Sequence, residues 1–157
     1  MKNIKIYATQ SQSCSKNDFI KNEMIVPVLG GAACKENIGR IQRDDEGENI
    51  SKYNDSYCEL TTQYWAWKNV KADYYGFCHY RRFFSFHPGK LKCDDWKLVH
   101  FKYANEKTKK ELCLDHMERI HHVVEGCDIL LPSRVDLRKV GFGSVYEQFK
   151  KIPHLRI

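Results

Sequence analysis

Apolar and polar positions alternate in blocks that change period along the chain. Residues 4–8 interleave Lys5 with Ile4, Ile6, Tyr7 and Ala8, then meet the polar run that starts at Thr9, which predicts a strand and a loop. Met24-Ile25-Val26-Pro27-Val28-Leu29 is a second β-branched run, closed by Gly30-Gly31, where the backbone turns tightly or approaches a ligand. Residues 40–51 are too polar and acidic for a core element and read as an exposed loop. Ser56-Tyr57-Cys58-Glu59 matches a capping box and predicts a helix start. Tyr57, Leu60, Tyr64 and Trp67 then recur at helical spacing, an apolar stripe expected to pack into the core. Tyr74-Tyr75-Gly76-Phe77-Cys78-His79-Tyr80 is continuous and short, as in a strand buried on both faces of a parallel sheet. A second helical pattern covers residues 108–125 with Cys113, Met117, Ile120 and Val124 on one face and Gly126 as its stop. Asp128-Ile129-Leu130-Leu131-Pro132 reads as a further buried strand, and Ser144-Val145-Tyr146-Glu147 as a second capping box opening a short helix. Strands separated by crossover-sized segments predict an α/β layered fold.

Composition narrows the class. The chain has 157 residues, 42% hydrophobic and 29% charged, which suits a single folded domain over 1–157 and excludes disordered and fibrous classes. No apolar run approaches the roughly 20 residues that cross a bilayer, and the N-terminus lacks the apolar core of a signal peptide, so a cytoplasmic protein is expected. Seven cysteines, odd in number and without a C-x-x-C pair, argue for reduced thiols, mostly buried, against a disulfide framework or zinc ribbon. Net charge is +6, and residues 87–110 hold seven lysines against three acids. That segment suits phosphates or an anionic membrane surface, or is a solvated connection. A basic nucleic-acid-binding domain is the alternative that the charge and aromatics raise, but no motif of that class is present and no nucleic acid is expected as partner.

The segment His79-Tyr80-Arg81-Arg82 carries the most chemistry. A strand ending there delivers an imidazole and two guanidinium groups to the carboxyl edge of the sheet, where open α/β folds bind ligands. Adjacent arginines repel unless an anion or carboxylates lie between them, and a diphosphate matches their forked donors. The alternative is pairing with Asp44, Asp45 or Glu48. Asp44 and Asp45, with Glu46, Glu48 and Asn49, offer hard oxygen ligands for Mg²⁺ or Mn²⁺, or acceptors for ribose hydroxyls, and are weak metal candidates. Glu59 is first a capping residue. His116, His121 and His122 lack the spacing that brings two imidazoles onto one metal. A nucleophile elbow, a P-loop and a dinucleotide fingerprint are absent. The Gly141-Phe142-Gly143-Ser144 entry to the last helix is either an anion site or an ordinary helix start, and the catalytic group is unassigned, with Asp136 and His154 available.

Several of these blocks together resemble a known family. Ile6-Tyr7-Ala8-Thr9, Val26-Pro27-Val28 through Ala33, Arg43 to Ser51, Tyr57-Cys58-Glu59-Leu60-Thr61 through Asn69, and Gly76-Phe77-Cys78-His79-Tyr80-Arg81-Arg82-Phe83-Phe84 are similar to the glycosyltransferase-like domain of bacterial capsule and exopolysaccharide biosynthesis proteins. The resemblance implies a GT-A-like (Rossmann-like) α/β fold, a nucleotide-diphospho-sugar donor, and transfer to a growing glycan or lipid-linked glycan at the inner face of the membrane, with peripheral association. It places the diphosphate at His79, Tyr80, Arg81 and Arg82 and the donor pocket at Thr9, Gly31, Asp44, Asp45, Asn49 and Glu59. The chain lacks the family fold's usual D-x-D carboxylate pair, so the arginines are expected to replace the divalent cation. From the resemblance, the chain is also expected to be a shortened copy that lacks the family's acceptor-side extension. A non-catalytic module that binds carbohydrate or nucleotide sugar is the second expectation.

Overall fold

The computed structural model describes residues 1–12, 22–36 and 41–151. Four parallel strands form one sheet in the order β3-β2-β1-β4: β1 (Ile4–Gln10), β2 (Ile25–Leu29), β3 (Gln42–Arg43) and β4 (Tyr74–His79). Their registers set Ile6 beside Ile25 and Gly76, and Thr9 beside Val28 and His79. Pro27, which has no N–H to donate, lies in β2 just before Val28 and Leu29, the two residues that pair with β3.

Alternation along the strands splits the core in two. Ile4, Ile6, Ala8 and Ile25 face Phe86, Leu112, Leu114 and Ile120, contributed by the segment after β4, the turn that follows α3 (Glu106–Glu111), and α4 (Met117–Glu125). Tyr7 and Val28 face Trp65 and Ala66 of α2 (Leu60–Asn69), with Tyr7 edge-on to the Trp65 ring at 5.7 Å. A Cβ at Gly76 would stand 2.9 Å from Ile6, so glycine keeps β1 and β4 in close contact.

The second predicted helix is two helices. Asn105 caps α3 by accepting from the Thr108 N–H at 3.1 Å, and the helix ends in a Schellman motif, with Cys113 N–H donating to Lys110 C=O and Leu114 N–H to Lys109 C=O. Cys113, at φ 54, occupies the left-handed position usually given to glycine, which is why the sequence pattern concealed the break. The expected stripe is kept, because Leu114 drops into the core and α4 restarts with Ile120 buried and ends at Gly126 as predicted.

Three other expectations change. The Ser56–Glu59 capping box is not formed: α1 (Asn54–Tyr57) stops at Cys58, φ 47, and α2 starts afresh with no side-chain cap. As a result α2 buries Thr61, Thr62, Trp65 and Ala66, while Tyr57, Leu60 and Trp67 of the supposed core stripe lie exposed, Trp67 at 67%. Residues 128–132 form no strand, and Ile129 and Leu131 are exposed because nothing among the described residues pairs with the free side of β4. β4 is thus the edge of the described sheet and only half-buried. The thiols are not mostly buried either: Cys34, Cys58 and Cys93 are exposed, Cys113 is buried, and Cys14 lies outside the described residues. The second capping box does form at α5 (Val145–Lys151), where Ser144 Oγ accepts from the Glu147 N–H at 3.1 Å. The Glu147 carboxylate accepts from Gly143 N–H at 2.6 Å, so this helix entry is capped by its own side chains.

Candidate functional site

The carboxyl ends of β1, β2 and β4 meet the start of α2. Residues 79–82 make a tight turn, with His79 N–H donating to Arg82 C=O at 3.2 Å, Arg82 N–H to His79 C=O at 2.9 Å, and Tyr80 N–H to Thr9 C=O at 3.0 Å. The rings of His79 and Tyr80 lie 4.0 Å apart, and the Arg81 guanidinium sits 4.9 Å above Tyr80. Arg81 Nα–H donates to His79 Nδ1 at 3.2 Å, which leaves Nε2 facing the Glu59 carboxylate at 3.5 Å.

Arg81 and Arg82 are exposed and form no ion pair among the described residues. The acids that would have neutralised them have other partners. Asp45 grips Arg43 through two hydrogen bonds, at 2.7 and 3.0 Å. Glu48 accepts from Tyr64 at 2.8 Å and pairs with Lys68 at 2.9 Å. Asp44 is fully buried under the Gly30-Gly31 turn, where it accepts from Gly31 N–H and Ala32 N–H (each 2.9 Å), Ser51 Oγ (2.5 Å) and Thr61 Oγ (2.6 Å). Two positive charges without an acidic partner among the described residues therefore stand at the edge. Their field and, above all, burial hold the His79 imidazole below its ordinary pKa, against the opposing pull of Glu59.

The same contacts bear on Asp44 and Asp45 as metal candidates. One carboxylate is saturated by four donors and the other is taken by Arg43, so they do not form a pair open to a hard cation. Among the described residues no group of three or more His, Cys, Asp or Glu side chains is placed to hold a metal ion. Asp44 instead shapes the edge by aiming Gly31 and Ala32. Gly31 has φ 65, and a Cβ there would come within 2.4 Å of Asn54, so the turn requires glycine. Asn49 braces the same loop by donating to Asp45 C=O at 2.9 Å and accepting from Ser51 N–H at 3.2 Å.

Of the predicted site residues, the fold brings Thr9, Gly31, Glu59, His79, Tyr80, Arg81 and Arg82 to one edge. Asp44 supports that edge from beneath, and Asp45 and Asn49 belong to the loop after β3. Sequence reasoning missed Ser51, Thr61 and Thr62. Thr62 is fully buried with an unpaired Oγ, 3.3 Å from where a Gly30 Cβ would stand. A hydroxyl pair on a helix otherwise read through its aromatics was the available signal.

The fold is a parallel α/β sheet of GT-A-like type, and its carboxyl edge presents a cationic turn. Residues 5–157 match the family described as a domain of unknown function, DUF4422, and the chain belongs to that family. Among solved structures it is similar to one titled as the apo structure of the WbbM bifunctional glycosyltransferase, at 35% identity and a TM-score of 0.86. The match covers 98% of this chain but 27% of that one. Comparison with curated proteins returns no match. Among the described residues no helix is long and apolar enough to cross a membrane.

Proposed function

We propose that the chain is the nucleotide-sugar-binding part of a glycosyltransferase that extends a bacterial capsular, exopolysaccharide or lipopolysaccharide glycan. The observation that carries this reading is the pair of exposed guanidinium groups of Arg81 and Arg82 on the turn that closes β4, which form no ion pair among the described residues. A diphosphate supplies the negative charge the turn lacks, and the planar forks bind it at two oxygens each. Gly31 lets backbone approach the donor, and Thr9 and Glu59 stand at the same edge as acceptors for its hydroxyl groups.

In sugar transfer the bond from the anomeric carbon to the diphosphate oxygen breaks, and negative charge grows on the departing nucleoside diphosphate. Fixed cations aimed at that group stabilise the transition state more than the ground state, which is what accelerates the step. Because Asp44 and Asp45 are engaged elsewhere, we assign this role to the arginines, without a divalent ion. The acceptor is a glycan or lipid-linked glycan, met at the inner membrane face, with the lysine-rich segment 87–110 turned towards anionic lipid.

The test is binding of UDP followed by calorimetry in excess chelator. UDP binds the wild type under those conditions, and Arg82→Ala weakens it about tenfold or more, the equivalent of roughly 1.4 kcal/mol. Binding that disappears with chelator and returns with Mn²⁺ would remove the arginine-only version, and no nucleotide binding under either condition would remove the donor reading. Turnover of a nucleotide sugar separates an enzyme from a module that only binds.

A further inference from the structure

The strained point of the candidate site is Cys58. Its φ of 47 and ψ of −127 belong to a conformation that glycine adopts freely and a residue with a side chain does not. Such backbone persists only where its surroundings hold it, and it gathers at functional sites. Here Asn54 Nδ2–H donates to Cys58 C=O at 2.7 Å and Thr61 N–H at 3.3 Å, with the Thr61 hydroxyl 3.0 Å away. Asn54 also packs against Gly31, so one side chain ties the break between α1 and α2 to the glycine turn.

The consequence falls on the next residue. A capping glutamate reaches back to its own helix, but Glu59 caps nothing and α2 starts without a side-chain cap. Its carboxylate is half-exposed and stands 3.5 Å from His79 Nε2. Nδ1 of that ring accepts from Arg81 N–H, so the neutral imidazole carries its proton on Nε2 and turns it to one Glu59 oxygen. The second oxygen has no partner among the described residues, and Glu59 pairs with neither arginine. Asp44, Asp45, Glu46 and Glu48 are each engaged by other groups. Glu59 is therefore the acid that this edge presents to a ligand.

We propose that Glu59 selects the sugar of the donor, accepting from hydroxyl groups of a neutral hexose and turning away a uronic acid. The inference rests on the donor reading above and names the class of sugar that the same site takes. An ionised carboxylate accepts hydrogen bonds and donates none, so hydroxyl groups satisfy it, whereas a second carboxylate brings no proton and adds like charge. An unfavourable group facing the wrong ligand sets specificity as firmly as a favourable one facing the right ligand. The arginines make no such distinction, because the diphosphate is common to all these donors. The strained backbone at Cys58 is then the means by which Glu59 is withheld from its helix and kept at the edge.

The experiment is calorimetric titration of the wild type, Glu59→Gln and Glu59→Lys with UDP, UDP-glucose, UDP-galactose and UDP-glucuronate. At least one UDP-hexose binds the wild type about tenfold or more tighter than UDP-glucuronate does. In Glu59→Gln, which keeps the size of the side chain and removes its charge, that ratio falls below about threefold. Glu59→Lys makes UDP-glucuronate the tighter ligand. A merely structural role for Glu59 would weaken all of these ligands together and leave the ratio alone. Equal binding of hexose and glucuronate donors by the wild type overturns the proposal, as does a ratio that survives substitution. Should Glu59→Lys not fold, the ratio in Glu59→Gln carries the comparison. The two readings fail separately: UDP binding with no preference among the sugars sinks selection by Glu59 alone, while a chain that binds none of these ligands sinks the donor reading and the selection with it.

Discussion

Asp44 shows how far a single side chain organises the site. Four donors from three segments converge on one buried carboxylate, so its removal strands two backbone N–H groups and the Ser51 hydroxyl, while Thr61 keeps Cys58 C=O as its acceptor. Asp44→Ala should cost on the order of 3–5 kcal/mol, read from urea denaturation, and an effect below about 1 kcal/mol would contradict the bracing role. Gly31→Ala combines a left-handed backbone with a clash against Asn54 and should lose roughly 1–2 kcal/mol. Thiol chemistry offers a second check. Burial pushes the Cys78 thiol up to about 12, so it remains protonated and should resist iodoacetamide at mildly alkaline pH, while exposed Cys34, Cys58 and Cys93 are alkylated. Mass spectrometry of the labelled peptides decides it, with rapid Cys78 modification as the contrary result.

At the level of elements, the two capping boxes behave oppositely for a reason the tetrapeptides do not contain. Ser144 and Glu147 stand at a free helix entry and satisfy its first N–H groups. Ser56 lies inside a turn that is already helical, and Glu59 is drawn to the carboxyl edge beside His79. Ser144→Ala should therefore cost about 1 kcal/mol and speed amide exchange at Glu147, whereas Ser56→Ala should change little. Equal effects would mean that α2 is capped after all. The strands β1, β2 and β4 were located from alternation or from short apolar runs bounded by turn residues, but β4 was expected to be buried on both faces and is instead a half-buried edge. The short β3 was read as loop, since two residues carry no period. The aromatic stripe of α2 was placed inside because Tyr, Leu and Trp usually are, yet the helix is rotated so that Thr61 and Thr62 serve Asp44 and Gly30.

For the whole molecule, charge placement couples the site to pH. His79 is held below its ordinary value of 6.5, so the folded state binds this proton less readily than the open chain does. The contribution of neutral His79 to stability is therefore complete above about pH 6.5 and is lost as pH falls below it. An anion between Arg81 and Arg82 cancels part of the field that lowers His79, so UDP should raise its NMR-measured pKa. A downward or absent shift on saturation would separate the imidazole from the bound group. The free side of β4 and the exposed Ile129, Leu131, Val145 and Tyr146 are a property of this scale as well.

The sequence by itself determined the layered α/β class, the succession of its main strands along the chain, the turn glycines and the cationic run after β4, because hydrophobic period, left-handed turns and local charge are properties of neighbouring residues. Only the tertiary structure decided which acids neutralise which bases, which face of α2 is buried, and that Asp44 supports the edge from below. Those outcomes depend on segments far apart in the chain competing for the same donors and the same buried volume, and no local pattern encodes the winner.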